Sequence, residues 1–166
     1  MCPTPRLALG DSQVEIEVLA TGLNFKDVLF TTGLLRQQPG EAPLQLGLEC
    51  AGRITRVGKN VTEFAPGEDV MAVLNGGFVQ YARVESDCVV RKPAHCRIEQ
   101  AAALPIAYLT AYYALVVRAN LQPGERVLIH SARGALAWLR YILPNAAEHR
   151  FSPQQVASRN AITCFR

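Results

Sequence analysis

No pair of cysteines in this chain stands at metal-ligand spacing. Cys2, Cys50, Cys88, Cys96 and Cys164 make no Cys-x-x-Cys motif and no cluster with the three histidines, so reduced, mostly structural thiols are expected and a metal site is not. A signal peptide and an apolar run of membrane length are also missing, which implies a soluble, cytoplasmic protein with no membrane partner. Basic charge is not concentrated either. The net charge of +3 comes from scattered Arg and Lys, which removes nucleic acid as a partner. What the 166 residues do have is a hydrophobic content of 49%, enough for one ordinary domain or a domain with a further piece.

Residues 14–19 alternate, with Val14, Ile16 and Val18 on one face and Glu15 and Glu17 on the other, and so predict a strand. It hands over to a short helix through residues 22–29, Gly-Leu-Asn-Phe-Lys-Asp-Val-Leu. Gly22 permits the sharp turn, Asn24 can cap the helix, and Phe25, Val28 and Leu29 share a face that would dock it. Asn24, Lys26 and Asp27 are left where polar groups can meet a ligand. By spacing alone, the same residues equally describe a capped surface helix with a solvated Lys26–Asp27 pair.

Residues 1–11, with Pro3, Pro5 and Gly10, read as an extended lead-in. Strands are predicted over 49–57, 70–74, 78–84 and 88–91, separated by turn chemistry at Gly58-Lys59-Asn60, Pro66-Gly67-Glu68-Asp69 and Asn75-Gly76-Gly77. Short strands at this spacing suggest a closed, irregular barrel. Glu49 stands out, because a carboxylate that opens an apolar strand is either a paired structural group or a functional one. Residues 34–43 form a surface loop. Helices are expected over 97–103 and 106–119, the second led by Pro105 and packed through Leu109, Tyr112, Tyr113 and Val116. Thr110 on that helix can simply bond back to its own backbone. Residues 126–130, Arg-Val-Leu-Ile-His, then read as a buried-type strand of the kind that opens a nucleotide-binding βαβ unit.

Five segments together resemble one family. They are the Gly22–Leu29 motif, Gly47-Leu48-Glu49-Cys50-Ala51-Gly52, Pro66-Gly67-Glu68-Asp69-Val70, the run from Ala101 to Leu115, and Gly124-Glu125-Arg126-Val127-Leu128-Ile129-His130-Ser131. They look like the zinc-free medium-chain dehydrogenase/reductases, most closely the enoyl reductase domains of modular polyketide synthases and related fatty acid synthases. The resemblance implies a GroES-like β-barrel catalytic domain over residues 1–104, followed over 105–134 by the first helices and first strand of a Rossmann domain. It implies NADPH as cofactor, with Asn24 and Thr110 on the nicotinamide side, Ser131 and Gly134 at the nucleotide-binding turn, and Lys26 and Asp27 lining the cleft. It implies an acyl carrier protein-bound trans-2-enoyl thioester as substrate, with neighbouring synthase domains as partners. Zinc relatives carry a His before the Glu of a Gly-His-Glu motif and a Cys near the first helix. Leu48 and Leu23 or Asn24 occupy those places here, so no metal is expected. The resemblance leaves the proton donor unassigned. A stand-alone quinone or crotonyl-type reductase of the same superfamily is the alternative enzyme, and a non-catalytic folded fragment the alternative of another class.

The resemblance breaks where it matters most for a dinucleotide. Only glycines let backbone N–H groups approach a pyrophosphate at a helix N-terminus, and relatives continue with Gly-Gly-Val-Gly. This chain reads Ser131-Ala132-Arg133-Gly134-Ala135-Leu136-Ala137-Trp138. Insertion of one G at Gly134, with permitted codons throughout, regroups the remaining residues into Gly-Val-Gly-Leu-Ala-Ala-Leu-Tyr and an onward βαβ sequence. Residues 135–166 are therefore expected to be a frameshifted, non-native tail, with helical propensity at most over 136–143. The coding DNA should hold a G-run at Gly134 whose extension by one base opens a frame reading Gly-Gly-Val-Gly. A stop codon in that frame before the position of Arg166, found on sequencing, would overturn the frameshift.

Overall fold

The protein is described by a computed structural model over residues 6–37, 40, 45–122, 125–130, 151–154 and 162–165. Two compact units divide between Pro105 and Ile106. In the first, five strands form one antiparallel sheet in the order β4-β1-β2-β3-β5. These are β1 (Gln13–Thr21), β2 (Glu49–Val57), β3 (Asp69–Val73), β4 (Tyr81–Glu85) and β5 (Val89–Arg91). The predicted alternation fixes which face is core. Val14 and Ile16 of β1, Cys50 and Ile54 of β2, Val70 and Ala72 of β3, Ala82 and Val84 of β4, and Val89 of β5 close around Val61. The register of β1 on β2 slips between Glu15 and Ile16 and again between Val18 and Ala20, and such irregularities bend a sheet.

Among the described residues the sheet is an open half-barrel, where the turn spacing suggested a closed barrel. β4 and β5 are its two edges. β5 has three residues and follows a 3-10 turn at Ser86–Cys88, too little strand to close the sheet on β4. β4 is also shorter than residues 78–84 predicted. The Asn75-Gly76-Gly77 turn folds back on the entry to β2, with Gly77 N–H donating to Gly47 C=O at 2.9 Å, which holds residues 75–78 out of β4.

One side chain defies the alternation. Glu15, expected on the outward face, is 1% exposed. Its carboxylate accepts from Thr55 Oγ1 at 2.7 Å and Arg56 Nε at 2.9 Å, and Arg56 Nη2 pairs with its second oxygen. The lead-in segment covers this face, held by Arg56 on Leu7 C=O and Arg83 on Ala8 C=O, both at 3.0 Å. The Arg56 hydrogen bond, opposed by burial, holds the Glu15 carboxyl below the usual carboxylate range.

α1 (Phe25–Thr31) follows β1, and α2 (Ile98–Ala101) closes the unit. The apolar face assigned to α1 does not dock it. Phe25 and Val28 are exposed and the one buried side chain of the helix is Asp27, so a polar contact positions this helix. α2 packs through Ala101 and Ala102 on Ala51, with Ala20 and Met71 beside them.

The second unit opens with α3 (Pro105–Tyr112), which continues as a π-helical turn over Tyr113–Arg118. Its buried residues are Pro105, Ala107, Ala111 and Leu115, whereas Leu109, Tyr112, Tyr113 and Val116 are exposed, so the expected packing face is the wrong one. Small residues at four-residue spacing are a signal that large apolar residues outweigh in a periodicity argument. The span Ile98–Arg118 is long and apolar enough to cross a membrane by length and composition, contrary to the sequence expectation. Residues 102–104 break that span into separate helices, and Pro105–Arg118 alone falls well short of the about 20 residues a crossing needs.

β6 (Arg126–His130) is flanked by β7 (Phe151–Gln154), parallel, and β8 (Ile162–Phe165), antiparallel. Both edges of β6 are thus paired by segments from the expected non-native stretch 135–166, because an apolar strand with N–H and C=O groups to satisfy on each side accepts an extended neighbour of compatible length. Residues 136–143, the possible tail helix, lie outside the described residues.

The Glu15 site generates a pH-dependent prediction. A carboxyl held low in the folded state stabilises above its unfolded pKa of about 4.3, and that contribution is lost as pH falls through the folded value. Glu15→Gln should cost about 1–3 kcal/mol at pH 7, where it strips Arg56 of its charged partner. In urea denaturation the gap from wild type should narrow as pH drops below about 4. A gap that is constant with pH would disprove the ion-pair origin.

Candidate functional site: the turn from β1 into α1

The turn is built around two buried carboxylates. Asn24, extended at φ −101°, ends the turn and starts α1. Asp27 reaches back to it, with Oδ2 accepting the Asn24 N–H at 3.0 Å, the reach expected of an acidic residue at the third helical position. The other oxygen, Oδ1, accepts the Gly47 N–H at 2.9 Å. Asp27 is 4% exposed. It ties α1 to the chain entering β2, with each carboxylate oxygen committed to a backbone donor.

Glu49 is the second carboxylate, 3% exposed at the start of β2. Its Oε1 accepts from Asn24 Nδ2 at 2.8 Å. Gly22 must be glycine because an added Cβ would run into Glu49 Oε1 and come within 2.7 Å of Ala102 C=O. Gly47 sits at φ +89°, a conformation that favours glycine, and a Cβ there would meet the Gly77 and Phe78 nitrogens at 2.8 Å. Thr21 Oγ1 donates to Gly77 C=O at 2.9 Å. Four segments distant in sequence, residues 21–27, 47–49, 77–78 and 102, thus meet at one turn.

Of the residues expected at the site, Asn24 and Asp27 are brought together here. Lys26 is exposed, its Nζ 5.6 Å from the Phe30 ring centroid. Thr110 is exposed on α3 in the second unit. Ser131 and Gly134 lie outside the described residues. Sequence reasoning found Glu49 odd but could name no partner for it, and it missed Gly47. The available signal was Gly47-Leu48-Glu49 itself, a glycine two residues before a carboxylate that opens an apolar strand. Next to Glu49, burial and then the Glu49 charge push the Cys50 thiol up to about 12, which makes it an inert core group. Among the described residues no three His, Cys, Asp or Glu side chains group as metal ligands. A cavity of about 230 Å³ elsewhere in the first unit is lined by Arg6, Glu15, Gln45, Tyr81 and Arg83 among others, and by none of the expected site residues.

The model of the alcohol dehydrogenase GroES-like domain family matches residues 10–94, and the chain belongs to that family. Over 128 residues it is 44% identical to Highly-reducing polyketide synthase 1 of Aureobasidium melanogenum, an alignment that covers 77% of this chain and 6% of that protein. Over 136 residues it is 40% identical to the pikromycin polyketide synthase component PikAII of Streptomyces venezuelae, covering 82% of this chain and 3% of that protein. The solved CurK enoyl reductase matches with a TM-score of 0.84 at 36% identity, covering 93% of this chain and 49% of that one. A mycobacterial protein, Rv1454c, solved with NADPH, matches with a TM-score of 0.75 at 25% identity, covering 91% of this chain and 47% of that one. The chain thus spans about half the length of these solved structures and a small part of the synthases.

Because Asp27 satisfies two backbone donors, Asp27→Ala should leave both unpaired and destabilise the first unit by about 2–4 kcal/mol. Asp27→Asn, which keeps an acceptor, should cost about half as much. Urea denaturation followed by far-UV circular dichroism measures both. Equal stability of wild type and Asp27→Ala would contradict the tethering role.

Proposed function

We propose that the chain is the GroES-like domain, with the opening of the nucleotide-binding unit, of an NADPH-dependent enoyl reductase that acts on a trans-2-enoyl thioester carried by an acyl carrier protein. The observation that carries this assignment is the Asn24 turn, locked by Asp27 and Glu49 within a stretch 40–44% identical to polyketide synthases. NADPH fits what the first unit offers: a half-buried carboxamide on Asn24, fixed from behind by a carboxylate, suits a neutral amide-bearing ring rather than a charged group. When bound, the dihydronicotinamide supplies the hydride that adds to the β-carbon of the enoyl group.

The protein's own residues orient and enclose. Asn24 holds the ring amide, and Thr110 of α3 is the further cofactor-binding residue of the assignment. Lys26 lines the cleft and adds positive potential where negative charge develops on the thioester oxygen before the α-carbon is protonated. The buried Asp27 keeps the turn rigid, so that Asn24 and Lys26 leave it in fixed directions. We further propose that the native sequence continues past Gly134 in the shifted frame, which restores the glycine turn for the pyrophosphate.

Fluorescence titration with NADPH tests the assignment on the 166-residue chain and on a frame-restored chain extended to the full reductase. The restored chain should bind in the micromolar range, weakened about fivefold or more by Asn24→Ala or Thr110→Val. The 166-residue chain should bind at least about a hundredfold more weakly, lacking the N–H cradle. Micromolar binding by the 166-residue chain, weakened by the same substitutions, would show that it keeps a working cofactor site. Failure of the restored chain to bind would leave a non-catalytic fold.

A further inference from the structure

We infer that the cavity between the lead-in segment and β4 is a binding site for a small organic phosphate monoester. Its charges are out of balance. Glu15 is the one carboxylate among the described residues that line it, and Arg56 engages both of its oxygens, Nε at 2.9 Å and Nη2 on the second. That pairing already neutralises Glu15. Arg6 and Arg83 line the cavity as well. Arg6 Nε stands 3.9 Å from the same carboxylate, and Arg83, opposite Glu15 on β4, donates to a neutral acceptor, Ala8 C=O, at 3.0 Å. Charge balance within the fold accounts for Arg56 and leaves these two guanidinium groups in excess.

Both surplus groups are held in place. Arg6 lies over the Tyr81 ring, with Cζ 4.4 Å from its centroid, and Ala8 C=O fixes Arg83. A guanidinium fixed before a ligand arrives loses little freedom on binding, and its paired N–H donors match a phosphate. Concave walls concentrate the potential of like charges. A monoester carries about 1.5 to 2 negative charges at neutral pH, which meets the surplus; a diester or a carboxylate carries one and leaves a guanidinium unmatched. Size then favours an organic ester over the bare ion. The cavity of about 230 Å³ has room for roughly seven waters at about 30 Å³ each, more than a phosphate group fills. Leu74 and Val79 supply an apolar wall for the remainder, with Gln45 and Asn75 as polar neighbours. None of the residues assigned to cofactor or substrate lines this cavity, so the site is independent of the enoyl reductase assignment.

The test titrates the ¹⁵N-labelled 166-residue chain with butyl phosphate, diethyl phosphate and inorganic phosphate at pH 7, read at the arginine Nε–H resonances. Loss of one resonance in each of Arg6→Gln and Arg83→Gln identifies the two that matter. Butyl phosphate should shift both, with an affinity about tenfold higher than diethyl phosphate and about threefold higher than inorganic phosphate. Arg6→Gln or Arg83→Gln should weaken it about fivefold or more, while Arg53→Gln, at an exposed arginine paired with Asp69, should leave it within about twofold. Val79→Trp, which fills the cavity without altering its charge, should weaken it about as much as loss of an arginine and keeps the test decisive if an arginine variant does not fold. Equal affinity for the three phosphates, binding unchanged in Val79→Trp, or shifts spread equally over Arg53 and Arg91 would reduce the site to diffuse attraction and overturn the inference. Absence of any shift at Arg6 and Arg83 would overturn it too, and each of these results leaves the reductase assignment standing.

Discussion

Two carboxylates buried within a few residues of one turn are the constraint on which the first unit depends. Burying a charge is expensive unless every strong acceptor site finds a donor, and the chain meets that demand by converging segments that are remote in sequence. Asp27 takes the N–H groups of Asn24 and Gly47, and Glu49 takes the Asn24 amide. Gly47 can offer its N–H only from a left-handed conformation, and its C=O in turn accepts from Gly77. The entry to β2, the start of α1 and the turn before β4 are thereby fixed relative to one another by directional bonds. The apolar core beneath them fixes only that the sheet is closed to water. A hydrophobic contact tolerates sliding by fractions of an ångström, whereas these bonds do not.

That difference explains what the sequence disclosed and what it hid. β2 was legible to the residue, because nine consecutive positions with turn residues beyond them admit one assignment. The burial of Val14 and Ile16 followed from period two. Glu15 broke the same rule because the face opposite the core is itself covered by the lead-in segment, and no local pattern announces a cover strand that has no periodicity of its own. The failures on α1 and α3 share a cause. Phe25, Val28, Leu109 and Tyr113 were assigned to packing faces by size, yet the buried positions are Asp27, Ala107, Ala111 and Leu115. Apolar periodicity registers bulk, and it gives low weight to a carboxylate that docks a helix by accepting backbone bonds or to a buried alanine.

At the site, the sequence located the turn from β1 into α1, but it did not show that Asp27 is buried and could not pair Glu49. Both gaps concern which way a polar group points. Composition and spacing determine that a carboxylate is present; its direction depends on donors supplied by residues 20 to 25 positions away, which only the three-dimensional register brings near. The resemblance to reductases supplied the class of chemistry without supplying that geometry.

The two units also differ in how they secure their strands, and this bears on how the tail is understood. In the first unit every strand pairs with another from the same stretch that matches the GroES-like family, and its edges end in short or turn-bounded segments. In the second, β6 belongs to the stretch that resembles reductases, while β7 and β8 come from beyond Gly134. Ladder formation asks little of the partner: a few extended residues with free N–H and C=O groups suffice, even when one of them, Pro153, has no N–H to give. Pyrophosphate recognition asks much more, since several N–H groups must converge on one point at the start of a helix. Sheet formation around β6 alone therefore carries no information about nucleotide binding.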